Sequence, residues 1–219
     1  TLSGIPYIGT ELRRTLGALT YPRFYLDFET IQFAIPRWLG TRPYQQIPFQ
    51  WSCHIEAESG QLTQTDFLDI SGELPLRGCA EALIAALGDR GPILVYSAFE
   101  KTVIKQLAAR LPDLHDDLLA LIPRLFDLLP LIKAHYYHAQ MKGAFSIKAV
   151  LPTIAPDLTY DDLEEVQDGI GAQIAYEEAI DPVGSEERRT QLATALRRYC
   201  ERDTLAMVRL VQHFASPVS

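Results

Sequence analysis

Asp27 and Glu29 stand one residue apart in the segment Phe24-Tyr25-Leu26-Asp27-Phe28-Glu29-Thr30. In a β-strand residues i and i+2 project from one face, so both carboxylates would point the same way while Leu26 and Phe28 point oppositely. Two negative charges side by side disfavour each other's ionised form. A divalent cation held by hard oxygen ligands is the most economical compensation. The competing reading is an exposed edge strand with a solvated acidic face, since short motifs also match by accident. Phe24, Leu26 and Phe28 on one face, with Tyr25 opening the other behind Pro22, favour a core strand.

Two later segments carry the same chemistry. Tyr199 and Asp203 are four residues apart in a long predicted helix over residues 186–214, about one turn apart on the side populated by Leu192, Leu196, Leu205, Val208 and Val211. A carboxylate in such a stripe is expensive without a partner. The plain alternative is that Asp203 pairs with Arg198 or Arg202 and Tyr199 is ordinary core. Glu100 follows Tyr96-Ser97-Ala98-Phe99, where an apolar strand runs into a helix. Ligands of open α/β sheets gather at the carboxyl ends of strands, where Glu100 would emerge, although a first-turn glutamate also complements a helix dipole.

The elements that must position these groups follow from hydrophobic period and turn chemistry. A short basic helix is predicted at residues 11–19, then the acidic strand, then a loop over 35–48 containing Arg37, Trp38, Arg42 and Tyr44. Residues 49–57 and 61–70 read as a hairpin through Glu58-Ser59-Gly60. A helix over 76–87 stops at Gly88, 92–96 suits a buried strand, and 100–111 is helical. Leu125-Phe126-Asp127-Leu128 reads as a short strand or a strand-like lead into a helix. Ser146 is expected to cap a helix through Leu151, and 169–179 forms another ahead of the last one. The order implies an α/β fold with a mixed sheet flanked by helices and a largely helical C-terminal part.

With 219 residues and 47% hydrophobic content, one domain over 21–215 behind a lead-in of 1–20 is expected. The net charge of -8 argues against a broad basic surface that coats nucleic acid, while metals in an acidic site could still offset phosphate repulsion. Cys53, Cys79 and Cys200 lie far apart without a CxxC spacing, so neither a zinc site nor a disulfide framework is indicated, and a reducing cytoplasmic setting is expected. No apolar run of about 18 residues and no signal-peptide pattern occurs, so no membrane partner is expected. The start at Thr1 suggests a domain excised from a longer polypeptide with other domains.

Taken together, DxE on the first strand, an acidic residue after a later strand and YxxxD on the last helix resemble the DEDD superfamily of ribonuclease-H-like 3′-to-5′ exonucleases, in its tyrosine-bearing subclass. The resemblance runs from residue 24 to about 212. Phe126-Asp127-Leu128 and Phe145-Ser146-Ile147-Lys148 are similar to the "DL" and "S-L-K" segments of ribonuclease D-like enzymes. More closely, the chain looks like a bacterial family known only as a domain of unknown function, with similar Asp-Phe-Glu, Phe-Glu and Tyr-x-x-x-Asp-Thr segments. The superfamily implies a ribonuclease-H-like mixed sheet, with three antiparallel strands first and parallel strands after. It also implies two Mg²⁺ or Mn²⁺ ions, with Asp27 bridging both, Glu29 and Asp203 completing the first and Glu100 holding the second. Tyr199 would orient the attacking water, and DNA or RNA would be shortened from 3′ ends to nucleoside 5′-monophosphates. The second motif of that superfamily usually reads Asn, Phe and Asp where this chain has Ser97, Phe99 and Glu100. That departure keeps open a catalytically inactive copy of the fold, serving as a nucleic-acid-binding or protein-interaction module.

Substrate contacts are drawn from scattered side chains. Lys148 and Lys142 are candidates for backbone phosphates, Arg37 and Arg42 lie in the loop after the acidic strand, and Trp38 or Tyr44 could stack on a terminal base. Solvated charge and loop packing are the rival readings for each. His135 and His138 have the spacing of a metal pair on one helix face, against the plainer reading of an exposed or satisfied pair. Asp161, Asp162, Glu164 and Glu165 read as a solvated helix face. Asp127 is the extra carboxylate that a strand end could bring near the metals.

Overall fold

A computed structural model describes residues 6–215 of the chain. A two-residue strand, β1 (Tyr7–Ile8), leads into α1 (Thr10–Gly17), where Leu12 and Leu16 lie one turn apart and are fully buried. They pack with Met207, Leu210 and Phe214 of the last helix, each buried leucine contributing about 1.5–3 kcal/mol of transfer free energy. Residues 10–17 therefore share a core with the end of the chain.

The centre of the sheet is β2 (Arg23–Ile31), followed by the hairpin strands β3 (Ile47–Glu56) and β4 (Leu62–Leu68). Both pairings are antiparallel, with Asp27 opposite Ser52 and Glu29 opposite Gln50. The pleat sorts β2 as its residue types dictate. Phe24, Leu26 and Phe28 enter one large core, while Tyr25 faces a second core that contains Met207, Val208 and Val211.

The chain then alternates helix and strand through α2 (Leu76–Leu87), β5 (Ile93–Val95), α3 (Phe99–Arg110), α4 (His115–Leu121), β6 (Leu125–Asp127) and α5 (Leu128–His135). β5 joins β2 and β6 joins β5, both in parallel, giving the order β4-β3-β2-β5-β6. Every residue of β5 is buried, as a parallel strand covered on both faces requires. Gly91 makes the approach possible: its φ is +87°, and a Cβ there would lie 2.2 Å from the carbonyl oxygen of Pro22. A further two-residue strand, β7 (Tyr136–Tyr137), pairs antiparallel with β1. The remainder is α6 (Ile147–Val150), α7 (Gly169–Ala179) and the 30-residue α8 (Glu186–Ala215). The fold is thus α/β, a mixed five-stranded sheet flanked by helices with a helical C-terminal part.

Four local features differ from the sequence reading. α4 lies between Pro112 and Pro123, too short and too punctuated for its period to stand out in sequence. Residues 157–168 form turns and not a helix, so the acidic run has no common face; Asp162 pairs with Arg202 at 2.8 Å and Glu165 with Arg188 at 2.7 Å. His135 closes α5, whereas His138 lies in extended backbone beyond β7, where its Nδ1 accepts from the Gln140 N–H at 3.2 Å. The two histidines share no helix face. Ser146 precedes α6 without a side-chain capping bond.

Candidate acidic site

Asp27 and Glu29 project from β2 toward α8, which lays Tyr199 and Asp203 against them. The crossing is set by the same-face residues of β3. Gln50 donates through Nε2 to the Leu196 carbonyl at 2.9 Å, the Ser52 hydroxyl lies 3.1 Å from that of Thr204, and His54 Nδ1 lies 2.8 Å from the Thr204 hydroxyl. Because Gln50 and Ser52 stand opposite Glu29 and Asp27, these bonds hold α8 in the register that brings its carboxylate over theirs. The Cys200 thiol, 3.7 Å from the Asp27 carbonyl oxygen, shows how closely the helix approaches.

Asp27, Glu29 and Asp203 each offer a carboxylate oxygen within 4.8 Å of the other two. Glu29 and Asp203 are both 8% exposed, and Asp27 keeps an opening to the cleft. Asp203 pairs with neither neighbouring arginine. It accepts instead from the hydroxyl of Tyr160 at 2.5 Å, while Arg202 and Arg198 both turn to Asp162. Lys148 is the ammonium beside the group. Its Nζ donates to the Tyr199 hydroxyl at 3.2 Å and to the Gln167 carbonyl at 2.6 Å.

Electrostatics follow from this crowding. Burial, then the charges of Asp203, Glu29 and Glu100, push Asp27 well above the usual carboxylate range. Glu29 is raised likewise by burial and by Asp203, with Lys148 opposing. Asp203 is raised by burial, against hydrogen bonding from Tyr160, the charge of Lys148 and hydrogen bonding from Tyr199. The Tyr199 phenol is driven far up by burial and by Asp203, Glu29 and Asp27, so it keeps its proton at neutral pH. Three crowded carboxylates against one ammonium form an all-oxygen donor set that suits a hard divalent cation.

Glu100 sits in the first turn of α3 and is 3% exposed. It stands outside the group of three, although it lines the same cleft and its charge reaches Asp27. Burial pushes its carboxyl up to about 7, eased by a backbone hydrogen bond and reinforced by Asp127. Asp127 ends β6 beside Val95 and accepts from the Leu129 N–H at 3.0 Å, capping α5. The cleft, of about 640 Å³, is lined by Asp27, Glu100, Lys148, Tyr199 and Asp203, with Tyr96, Phe99, Phe145 and Met207 supplying apolar surface.

The other sequence-predicted contacts fall elsewhere. Lys142 is exposed in a left-handed turn at φ 50° and does not line the cleft. Arg42 and Tyr44 border a separate depression with Gln106. Trp38 uses its indole N–H on the Gly72 carbonyl at 2.9 Å and packs edge-to-face on Phe33, and Arg37 donates to the Ile180 carbonyl. Conversely, Tyr160, Gln50, Ser52 and Thr204 were not singled out in sequence. Polar residues at alternate positions of β3 were the available signal for Gln50 and Ser52; Tyr160, in a stretch without period, offered none.

Among the described residues no helix is long and apolar enough to cross a membrane. Two curated relatives are similar over most of this chain: "Uncharacterized protein MG366" of Mycoplasma genitalium, 22% identical over 93% of the chain, and "Uncharacterized protein MG366 homolog" of Mycoplasma pneumoniae, 25% identical over 92%. Each match covers 33% of the relative, so the chain spans about a third of their length. No solved structure matches. The family described as a domain of unknown function (DUF2779) matches residues 24–146, from β2 to the threshold of α6, and the chain belongs to it.

Proposed function

We propose that this domain is a metal-dependent 3′-to-5′ exonuclease of ribonuclease-H-like fold, releasing nucleoside 5′-monophosphates from DNA or RNA 3′ ends. The observation that carries the reading is the meeting of Asp27, Glu29 and Asp203, over 170 residues apart in sequence at the extremes, within 4.8 Å beside a protonated Tyr199. An antiparallel start followed by parallel strands supports the fold assignment. Asp27, Glu29 and Asp203 would hold one Mg²⁺ or Mn²⁺, and Glu100 with Asp27 a second. Bound ions of this kind lower the pKa of an attacking water and stabilise the leaving 3′-oxygen.

The chain's own groups have separable tasks. Tyr199 retains its phenolic proton and accepts from Lys148; that one proton would turn from Asp203 to a water to orient it, and a phenol so hard to ionise is a poor base. Lys148 brings positive charge to the edge of the acidic group, where a phosphate would approach. Phe99, Phe145 and Tyr96 offer flat apolar surface for a terminal nucleoside and exclude water from it. Three buried free thiols accord with a reducing, cytoplasmic setting. Relatives three times as long support further domains as partners.

A second reading is favoured by the position of Glu100 outside the group of three: a catalytically silent domain that binds nucleic acid or protein. Degradation of 5′-labelled single-stranded DNA and RNA with Mn²⁺ or Mg²⁺ separates the two. Wild type should shorten the strand stepwise and Asp27→Ala should leave it intact; equal behaviour of the two proteins would sink the exonuclease reading.

A further inference from the structure

Tyr160 lies in the turns between α6 and α7, outside the segment that the family match covers. Its hydroxyl donates to Asp203 Oδ1. The turn that carries it is clamped to α8 by the residue next to Asp203: the Arg202 guanidinium makes two 2.8 Å bonds to the Asp162 carboxylate and donates to the Thr159 carbonyl. Both sides of Tyr160 are thus tied to the helix that supplies the carboxylate. Its ring has a second use. Lys148 Nζ sits 4.7 Å from the centroid of Tyr160 and 4.8 Å from that of Tyr199, an ammonium held between two π faces while it reaches the Tyr199 hydroxyl.

We propose that Tyr160 is a positioning residue of the acidic site: its hydroxyl fixes the Asp203 carboxylate toward Asp27 and Glu29, and its ring keeps Lys148 at Tyr199. This rests on reading the acidic group as a metal site. The two contacts come from different parts of one side chain, so they separate by substitution. Tyr160→Phe removes the hydroxyl and leaves the ring; Tyr160→Leu removes both. Partners that hydrogen-bond a ligating carboxylate commonly change metal affinity by about 10–100-fold when lost.

The test is Mn²⁺ titration calorimetry on the whole chain, with kcat and KM on a 3′-labelled oligonucleotide and thermal melting to verify folding. The expected result is a Tyr160→Phe protein that melts like wild type, binds Mn²⁺ about tenfold more weakly and keeps its KM. Tyr160→Leu should show the same loss of Mn²⁺ affinity and a raised KM, because Lys148 loses a wall of its cage. Wild-type Mn²⁺ affinity in Tyr160→Phe would overturn the positioning role while leaving the metal site standing. A wild-type protein that binds no Mn²⁺ would overturn the metal site itself, and the role of Tyr160 with it.

Discussion

One face of β2 carries Arg23, Tyr25, Asp27 and Glu29 in turn, and its two ends treat buried charge in opposite ways. At the first end Glu56, opposite Arg23 and 5% exposed, accepts from the Tyr25 hydroxyl at 2.7 Å and from Gln212 at 2.9 Å, with the Arg23 guanidinium 3.7 Å away. Arg23 also donates to the carbonyls of Leu16 and Leu19. One carboxylate there meets three partners from the chain itself. At the other end three carboxylates share hydroxyls and the Lys148 ammonium, with Lys133 lining the same cleft. The first arrangement pairs its charges within the fold, although the buried Arg23 Nε has no hydrogen-bond partner, and it ties α1 and α8 to the sheet. The second crowds three carboxyls that burial pushes toward their protonated forms, and under the proposed reading a bound cation takes the place of those protons.

The contrast breaks most sharply under substitution of one carboxylate at each end. Glu56→Ala leaves Arg23 buried without its counter-charge and should cost about 3–5 kcal/mol in urea unfolding. Asp27→Asn relieves like-charge repulsion and should stabilise the metal-free protein, by an amount on the order of 1 kcal/mol. If both substitutions destabilised alike, Asp27 would be a structural partner and the contrast would vanish.

A pH series in EDTA sharpens it further. The Glu100 carboxyl is raised from 4.5 to about 7, so its protonated form favours the fold; that contribution is complete below pH 4.5 and is lost as pH rises through about 7. His54, lowered from 6.5 to about 4 by burial, works the other way: its contribution is present above pH 6.5 and is lost as pH falls through about 4. Thermal melting should therefore show a decline on the alkaline side that Glu100→Gln makes shallower, the rest belonging to Asp27, Glu29 and Asp203, and an acid-side decline that this variant retains. Mn²⁺ should raise the melting temperature more at pH 8 than at pH 5. The smallest effects belong to residues away from both ends of the face. Arg42→Ala and Lys142→Ala should change stability by no more than about 0.5 kcal/mol, and strand shortening should stay within roughly twofold of wild type. A large loss of strand binding in either variant would return that residue to the substrate path.

What could be read from the sequence was what regular elements encode locally. The Asp27–Glu29 and Tyr199–Asp203 spacings are legible because strand and helix periods put such pairs on one face. The hairpin, the helix stopping at Gly88 and the buried β5 were legible for the same reason. Tyr160 was not, because it reaches Asp203 through a turn whose position depends on Arg202, 40 residues from Asp162. The anchoring of α8 by Gln50 and Ser52 is equally long-range, spanning 146 and 152 residues. Trp38 and Arg42 looked available as loop residues, yet only packing could reveal that one is spent on the Gly72 carbonyl and the other borders a different depression.

The most direct measurement is anomalous diffraction from crystals grown with Mn²⁺. The expected result is a Mn²⁺ peak in contact with oxygens of Asp27, Glu29 and Asp203, absent in Asp27→Asn. A map with no peak among those three carboxylates, or a peak that survives the substitution unchanged, would contradict the reading of this end of β2 as a metal site.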